Sequence, residues 1–190
     1  IFLGRLERVM PDLDAAFEDI GIERAGFLRA EDLSGVDGWP PLGAPVLVVG
    51  AGIMGAEHAR LIREEARGAT LAAVCDADAN RARAAAGGGK AFTDPMALIG
   101  SDEVDAIVIA SPDSTHADLA IACIAAGKPV LCEKPLGTTG ADCLRVVEAE
   151  ARSGKPLVHV GYMRRFDPAY GEMRDKGSDG TLGKPLLLHN

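Results

Sequence analysis

Three glycines and an acid are the first residues whose types and spacing point to chemistry. Gly50, Gly52 and Gly55 follow an apolar run at 45–49, and Asp76 ends a second apolar run at 71–75. The first glycine permits a tight turn off a strand, the second lets the backbone approach a pyrophosphate, and the third lets helix and strand pack closely. Free helix N–H groups attract phosphates, and the acid accepts hydrogen bonds from ribose hydroxyls. The pattern predicts a dinucleotide site; a glycine-rich turn without a ligand is the alternative.

A lysine follows a later apolar run in the same way. Glu133-Lys-Pro-Leu136 comes directly after the run at 129–132. An ammonium group at Lys134 would hydrogen-bond a reacting hydroxyl and stabilise negative charge that develops on its oxygen. A solvated lysine in a turn is the alternative. His116 closes a segment, Ser111-Pro-Asp-Ser-Thr-His116, that follows the preceding run. It has two interpretations of equal weight: a cofactor contact, or a residue that packs and caps at a helix start.

These residues stand at the ends of alternating predicted elements. Strands are predicted at 45–49, 70–75, 90–92, 105–110, 129–132 and 157–161, and helices at 53–66, 78–86, 94–100, 115–126 and 138–153. This alternation is typical of an α/β fold with a parallel sheet, and six strands in two halves predict the doubly wound Rossmann arrangement. Ligands bind at the carboxyl ends of such strands, where the candidate residues stand. Ser114 or Thr115 is predicted to cap the fourth helix and Gly127 to end it.

Two other histidines and two arginines are expected to be structural or solvated. His58 falls on the first turns of the helix after the glycines, and His159 alternates within the last predicted strand. We predict that both pack without contacting a ligand. Arg81 and Arg83 lie on the helix after Asp76 and are predicted to face solvent.

The strand-end segments, together with Gly161-Tyr-Met-Arg-Arg-Phe-Asp-Pro168, resemble the Gfo/Idh/MocA oxidoreductases over about residues 44–190, and within that family its inositol dehydrogenases. The resemblance implies hydride transfer between nicotinamide and a secondary alcohol of a cyclic polyol or sugar. It implies that Lys134 is catalytic and that Met163 and Arg164 contact substrate, although Arg164 and Arg165 could instead be a solvated pair. The expected cofactor site consists of Gly50, Gly52, Ile53, Met54, Gly55, Asp76, Ser111, Pro112, His116 and Glu133.

The same carboxylate bears on which cofactor binds. A negative charge at Asp76 would repel a 2′-phosphate, so the sequence favours NAD over NADP. The resemblance further implies a homo-oligomer in the complete enzyme. It also implies a second, C-terminal α+β domain that supplies the proton-transfer groups, and we expect that domain to be missing from this chain.

Composition narrows the class of protein. The chain has 190 residues and a net charge of −8, with a pI near 5.0, which argues against coating nucleic acid or an anionic membrane. No apolar stretch approaches the roughly 18–20 residues that span a bilayer. The four cysteines include no C-x-x-C pair, so no metal site is predicted, and three lie in apolar runs where buried thiols are usual. This usage favours the reducing cytoplasm.

The first 34 residues differ from the rest and read as three short strands with glycine turns. They look like the opening of the OB-type RNA-binding domain of ribonuclease E/G, in which aromatics matching Phe17 and Phe27 stack on bases. A barrel of this type needs about five strands, so RNA binding is not expected here. The predicted organisation is 1–34 partial OB-like segment, 35–44 linker, 45–165 Rossmann domain and 166–190 connection to a substrate domain. An RNA-binding fragment, and an NAD-binding fragment without turnover, are the alternative functions.

Overall fold

A computed structural model describes residues 43–66, 68–180 and 183. The described residues up to Gly161 belong to one compact unit, and those from Tyr162 onward belong to a second. The predictions made for residues 1–34, and most of the predicted linker, lie outside the described residues.

The first unit is a parallel sheet flanked by helices. Its strands are β1 (Ala44–Val49), β2 (Ala69–Cys75), β3 (Ala91–Phe92), β4 (Ala106–Ile109), β5 (Val130–Cys132) and β6 (Val158–Val160). Its helices are α1 (Ile53–Glu64), α2 (Ala79–Ala86), α3 (Pro95–Ile99), α4 (His116–Ala125) and α5 (Gly140–Ser153). All strand pairs are parallel, in the order β3-β2-β1-β4-β5-β6. This order confirms the predicted Rossmann fold and places the reversal of strand order between β1 and β4.

Apolar side chains on both faces of the central strands hold the sheet between its helices. Leu47 and Val49 of β1 join a buried cluster with Ala120 and Cys123 of α4. Val48 is also fully buried, and because successive strand side chains alternate it faces the opposite side of the sheet. Burying each such aliphatic side chain contributes about 1.5–3 kcal/mol. The nearly continuous apolar runs in the sequence follow from this two-sided cover.

The start of α4 differs from the prediction. A 3₁₀ turn over Asp113–Thr115 leads directly into the helix, and neither Ser114 nor Thr115 caps it through its side chain. The Thr115 hydroxyl instead contacts Ser111 Oγ at 2.6 Å and donates to the Pro112 carbonyl at 2.8 Å. A capping residue needs extended backbone, whereas Thr115 is already helical, so the predicted cap was wrong. Gly127 has φ +69° directly after α4, which confirms the predicted helix end.

The second unit is described over a 3₁₀ turn, Met163–Phe166, and helix α6, Pro168–Ser178. Asp167 caps α6 by accepting a hydrogen bond from the Ala169 N–H at 3.0 Å, and Pro168 occupies the first turn, where its missing N–H is tolerated. Across both units, no described helix has the length and apolar character needed to cross a membrane.

Candidate functional site

The glycine loop joins β1 to α1 and touches the end of β4. Gly50 has φ +93°, and its N–H donates to the Cys75 carbonyl at 2.7 Å. A Cβ at Gly50 would overlap the backbone of Ala110 and Ser111, and one at Gly55 would overlap the Gly50 carbonyl. A Cβ at Gly52 would meet no atom within 4 Å. Gly50 and Gly55 are therefore required by the fold, whereas Gly52 leaves open space at the start of α1.

Asp76, at the tip of β2, is tied to the same loop. Its Oδ2 accepts the Ala51 N–H at 2.7 Å, and its Oδ1 accepts the Asp78 N–H at 2.8 Å and Arg81 Nη2 at 3.0 Å. Burial raises the pKa of Asp76, but the two backbone N–H groups and Arg81 outweigh it and hold the pKa below its usual value. The carboxylate is thus kept ionised beside the glycine loop.

The segment after β4 contacts the loop after β5 through His116. Ser111 is half-buried and Pro112 is exposed, and both stand directly beyond the strand. His116 is 1% exposed, and its Nε2 lies 2.8 Å from the Ser111 carbonyl oxygen. Its Nδ1 lies 2.7 Å from the carbonyl oxygen of Pro135. The structure therefore gives His116 a bridging position between two loops, at the first residue of α4.

Lys134 is exposed at the end of β5, and its predecessor is held from α1. Glu133 Oε1 lies 2.9 Å from Nε2 of His58, which is 1% exposed, and Glu133 Oε2 accepts the Lys134 N–H at 3.3 Å. Burial raises the pKa of Glu133. The hydrogen bond and charge of His58 lower it, and so do the backbone N–H and charge of Lys134; together these effects outweigh burial. The net pKa of Glu133 is below its ordinary value, so this carboxylate is ionised.

Most predicted site residues of the first unit are joined by these contacts across four segments. The loop after β1 meets the ends of β2 and β4, α1 meets the end of β5 through His58, and the β4 turn meets the β5 end through His116. Ile53 is 91% exposed at the start of α1, and Met54 beside it is half-buried. An apolar side chain left this open at the loop is available to a ligand.

The two predicted substrate residues belong to the second unit. Met163 is half-buried and Arg164 is exposed in the 3₁₀ turn there. Arg164 Nη1 donates to Asp167 Oδ2 at 3.3 Å, and its guanidinium lies 5.0 Å from the centre of the Tyr170 ring. Their roles stay predictions. In the described ranges, no group of three or more His, Cys, Asp or Glu side chains could hold a metal ion.

Sequence reasoning missed two contacts of the candidate site residues. His58 is packed, as predicted, but it also bonds Glu133, which lies 75 residues away in the chain. Arg81 is exposed, as predicted, yet it pairs with Asp76. A basic residue one helical turn beyond a strand-end acid is a usable signal for the second contact. No spacing could reveal the first. His159 and the thiols of Cys75, Cys123 and Cys132 are buried, as predicted.

Known proteins are similar to this chain in sequence and in fold. The family model described as an oxidoreductase family with an NAD-binding Rossmann fold matches residues 45–162. Inositol 2-dehydrogenase 2 of Saccharopolyspora erythraea is 55% identical over 146 residues, which cover 75% of this chain and 43% of that protein. Inositol 2-dehydrogenase of Acidothermus cellulolyticus is 48% identical over 145 residues, which cover 75% of this chain and 42% of that protein.

A solved structure gives the same comparison in three dimensions. The myo-inositol dehydrogenase of Lactobacillus casei, in complex with NAD(H) and myo-inositol, matches with a TM-score of 0.73 at 30% identity. The match covers 76% of this chain and 44% of that one, so the chain spans less than half the length of these relatives.

The comparisons did not bear out the resemblance of residues 1–34 to ribonuclease E/G, and these residues lie outside the matched family segment. The RNA-binding alternative therefore has no support. The matched residues contain the glycine loop, Asp76, the β4 turn and Lys134 within one Rossmann sheet. The chain belongs to the Gfo/Idh/MocA oxidoreductase family, and residues 45–162 form its NAD-binding Rossmann fold.

Proposed function

We propose that this chain provides the cofactor-binding half of an NAD-dependent dehydrogenase that acts on a ring secondary alcohol of an inositol-like polyol or sugar. One observation carries the proposal: the exposed Lys134 directly follows β5, at the edge of the sheet where the proposed dinucleotide site lies. Both its sequence neighbours are hydrogen-bonded by buried histidines. The names of the relatives support the polyol as substrate class.

The residues at the start of α1 fit a pyrophosphate. Gly52 is the N-terminal cap residue and no side chain caps the helix, so its first N–H groups remain available to an anion. The space beyond Gly52, which a Cβ would occupy, is open. The exposed side chain of Ile53 adds an apolar surface beside it. Gly50 and Gly55 shape this loop. The proposed cofactor site is completed by Met54, Ser111, Pro112, His116 and Glu133.

The carboxylate of Asp76 fits a ribose diol. A carboxylate offers about four lone-pair positions, and the Ala51 N–H, the Asp78 N–H and Arg81 use three of them. A ribose hydroxyl can take the fourth position or replace the exposed Arg81. A 2′-phosphate would bring a second negative charge to this carboxylate, which disfavours NADP.

Lys134 would act on the alcohol. NAD, when bound, would supply the acceptor for the hydride of the carbinol carbon. The Lys134 ammonium donates a hydrogen bond to the hydroxyl oxygen, orients it, and stabilises negative charge that develops as the hydroxyl proton leaves. We assign the removal of that proton, and the enclosure of the polyol, to parts of the complete enzyme that correspond to the second half of the relatives. Met163 and Arg164 are proposed substrate contacts.

Titration of the 190-residue chain with NADH and NADPH, followed by the fluorescence of the reduced nicotinamide, tests the proposal. We expect tighter binding of NADH. Asp76→Ser should reduce NADH affinity by about tenfold or more, because a hydrogen bond to a charged group contributes about 1.5–3 kcal/mol. The same change should narrow the preference over NADPH.

Arg83→Ala is the matched control, because Arg83 lies on the same helix as Arg81 and bonds Asn80 rather than Asp76. It should leave both affinities unchanged. Equal affinity of the unmodified chain for NADH and NADPH would contradict the role of Asp76, and binding of neither would contradict the proposed function as a whole.

A further inference from the structure

Both sequence neighbours of Lys134 are held by buried histidines that come from different elements. His58, on α1, bonds the side chain of Glu133 at 2.9 Å. His116, at the start of α4, bonds the carbonyl oxygen of Pro135 at 2.7 Å. Each histidine is 1% exposed, whereas Lys134 is exposed between them. Burying polar rings is unfavourable unless their hydrogen bonds are made, so these contacts are specific features of the fold.

The Glu133 side chain links His58 to the backbone of Lys134. An ionised carboxylate only accepts hydrogen bonds, so His58 must carry its hydrogen on Nε2. The other carboxylate oxygen accepts the Lys134 N–H at 3.3 Å. Gly161 closes the remaining side, since a Cβ there would lie 3.4 Å from that same oxygen. The Glu133 side chain is thus confined between α1, the end of β6 and the lysine backbone.

The contact on the Pro135 side has a further chemical consequence. The two ring nitrogens of His116 face carbonyl oxygens, of Ser111 at 2.8 Å and of Pro135 at 2.7 Å. Carbonyl oxygens are acceptors, so the contact with Pro135 is a hydrogen bond when Nδ1 carries the ring hydrogen. The ring then joins α4 to the loop after β5 by a donated hydrogen bond, with Nε2 beside the turn after β4.

We propose that His58 and His116 are positioning residues that hold Lys134 from its two sides and couple its placement to the two loops of the cofactor site. This inference rests on the proposed function, in which Lys134 contacts the reacting alcohol. Neither histidine needs to touch the substrate. A lysine with no role beyond solubility does not need both its sequence neighbours held by buried histidines.

The test follows Lys134 by NMR in the isotopically labelled 190-residue chain. Saturating NADH should shift the Lys134 side-chain resonances of the wild type, because the dihydronicotinamide ring and its carboxamide would lie beside them. His58→Leu and His116→Leu should lose most of this shift while NADH still saturates. His58→Gln, which keeps an N–H donor, should restore it. Val146→Ala on α5 is the control for a general loss of packing, because Val146 is fully buried in the core. It should behave as the wild type.

Each outcome decides a separate question. A Lys134 shift in His58→Leu and His116→Leu equal to that of the wild type would overturn the inference. If the wild type binds no NADH, the proposed function fails. The anchor on Glu133 is then judged by hydrogen exchange of the Lys134 amide, which His58→Leu should accelerate if Glu133 is held as described. Unchanged exchange would overturn this half.

A measurement on the wild type covers the case in which the leucine variants do not fold. Nitrogen-15 spectra of the imidazole rings should show hydrogen on Nε2 of His58 and on Nδ1 of His116. A His116 hydrogen on Nε2 alone would overturn the anchor on Pro135, and a His58 hydrogen on Nδ1 alone would overturn the anchor on Glu133.

Discussion

At the scale of single residues, Asp76 and Glu133 show how one carboxylate can serve both fold and site. Asp76 is 9% exposed and receives hydrogen bonds from the Ala51 N–H in the glycine loop and from Arg81 on α2. The Glu133 carboxylate accepts a hydrogen bond from His58 of α1. Each carboxylate therefore joins two elements before any ligand binds, and each has a lowered pKa. The site is partly organised by the charges that would later contact the cofactor.

A pH dependence follows for Asp76. Its folded pKa lies below the unfolded value of about 3.9, so the stability it contributes is fully present above that value and is lost as the pH falls through the folded pKa. Asp76→Asn should therefore lower the melting temperature near neutral pH. The difference from the wild type should be largest above about pH 4 and should shrink as the pH falls below that value through the folded pKa. Melting curves by circular dichroism measure it. Asp102→Asn, which removes an exposed carboxylate, is the control. A difference in melting temperature that persists into strong acid would contradict a stabilising role of the Asp76 charge.

At the scale of elements, the β1–α1 connection separates two uses of glycine. Gly55 lies against the Gly50 carbonyl and has no room for a side chain. Gly52 has φ −69°, which any residue adopts, and open space where a Cβ would lie. The fold requires the first glycine and tolerates replacement of the second. No steric contact within the described residues requires glycine at position 52, whereas a ligand approaching the helix start would.

The two glycines should respond oppositely to the same substitution. Gly55→Ala should destabilise the chain severely, by more than the roughly 1–3 kcal/mol typical of overpacking, because the overlapping atom is backbone carbonyl. Gly52→Ala should leave the melting temperature nearly unchanged and weaken NADH binding, since the new methyl group occupies the proposed pyrophosphate space. Thermal melts and NADH titration distinguish the two effects. If Gly52→Ala binds NADH as tightly as the wild type, the proposed position of the pyrophosphate is incorrect.

At the scale of the whole molecule, we expect cofactor binding and turnover to be separable. The sheet closes its own core between β1 and β6, and the four strand-end segments contact one another within this unit. The relatives, in contrast, are more than twice as long as the segment they share with this chain. Orientation of the substrate and transfer of its proton each contribute orders of magnitude in rate. We assign both to groups outside the shared segment.

A protein consisting of these 190 residues alone should therefore bind NADH yet reduce NAD negligibly with myo-inositol or glucose. Joining it to the second half of the Saccharopolyspora relative should restore turnover. In that hybrid, Lys134→Ala should abolish the rate and leave NADH affinity nearly unchanged, because Lys134 acts on the alcohol. NADH absorbance and fluorescence titration measure the two quantities. Appreciable polyol-dependent reduction by the 190 residues alone would require an acid–base pair among residues that we consider structural.

The sequence by itself determined the Rossmann sheet, the glycine loop and the position of Lys134 at a strand end. These features depend on local patterns: apolar periodicity reports backbone conformation, and glycine spacing reports a turn. The family resemblance over the same residues was confirmed as well. The side-chain cap of α4 was predicted wrongly because a local preference for capping residues cannot detect a 3₁₀ turn that already makes Thr115 helical.

Only the tertiary structure decided which residues meet. The strand order β1-β4-β5 brings His58 to Glu133 and makes the loop after β4 a neighbour of the loop after β5, where His116 bridges them. His58 and Glu133 are 75 residues apart, and no periodicity in the chain encodes that pairing. It follows from the sheet register and the packing of α1 against it, because a side chain's partner is set by the elements that surround it after folding.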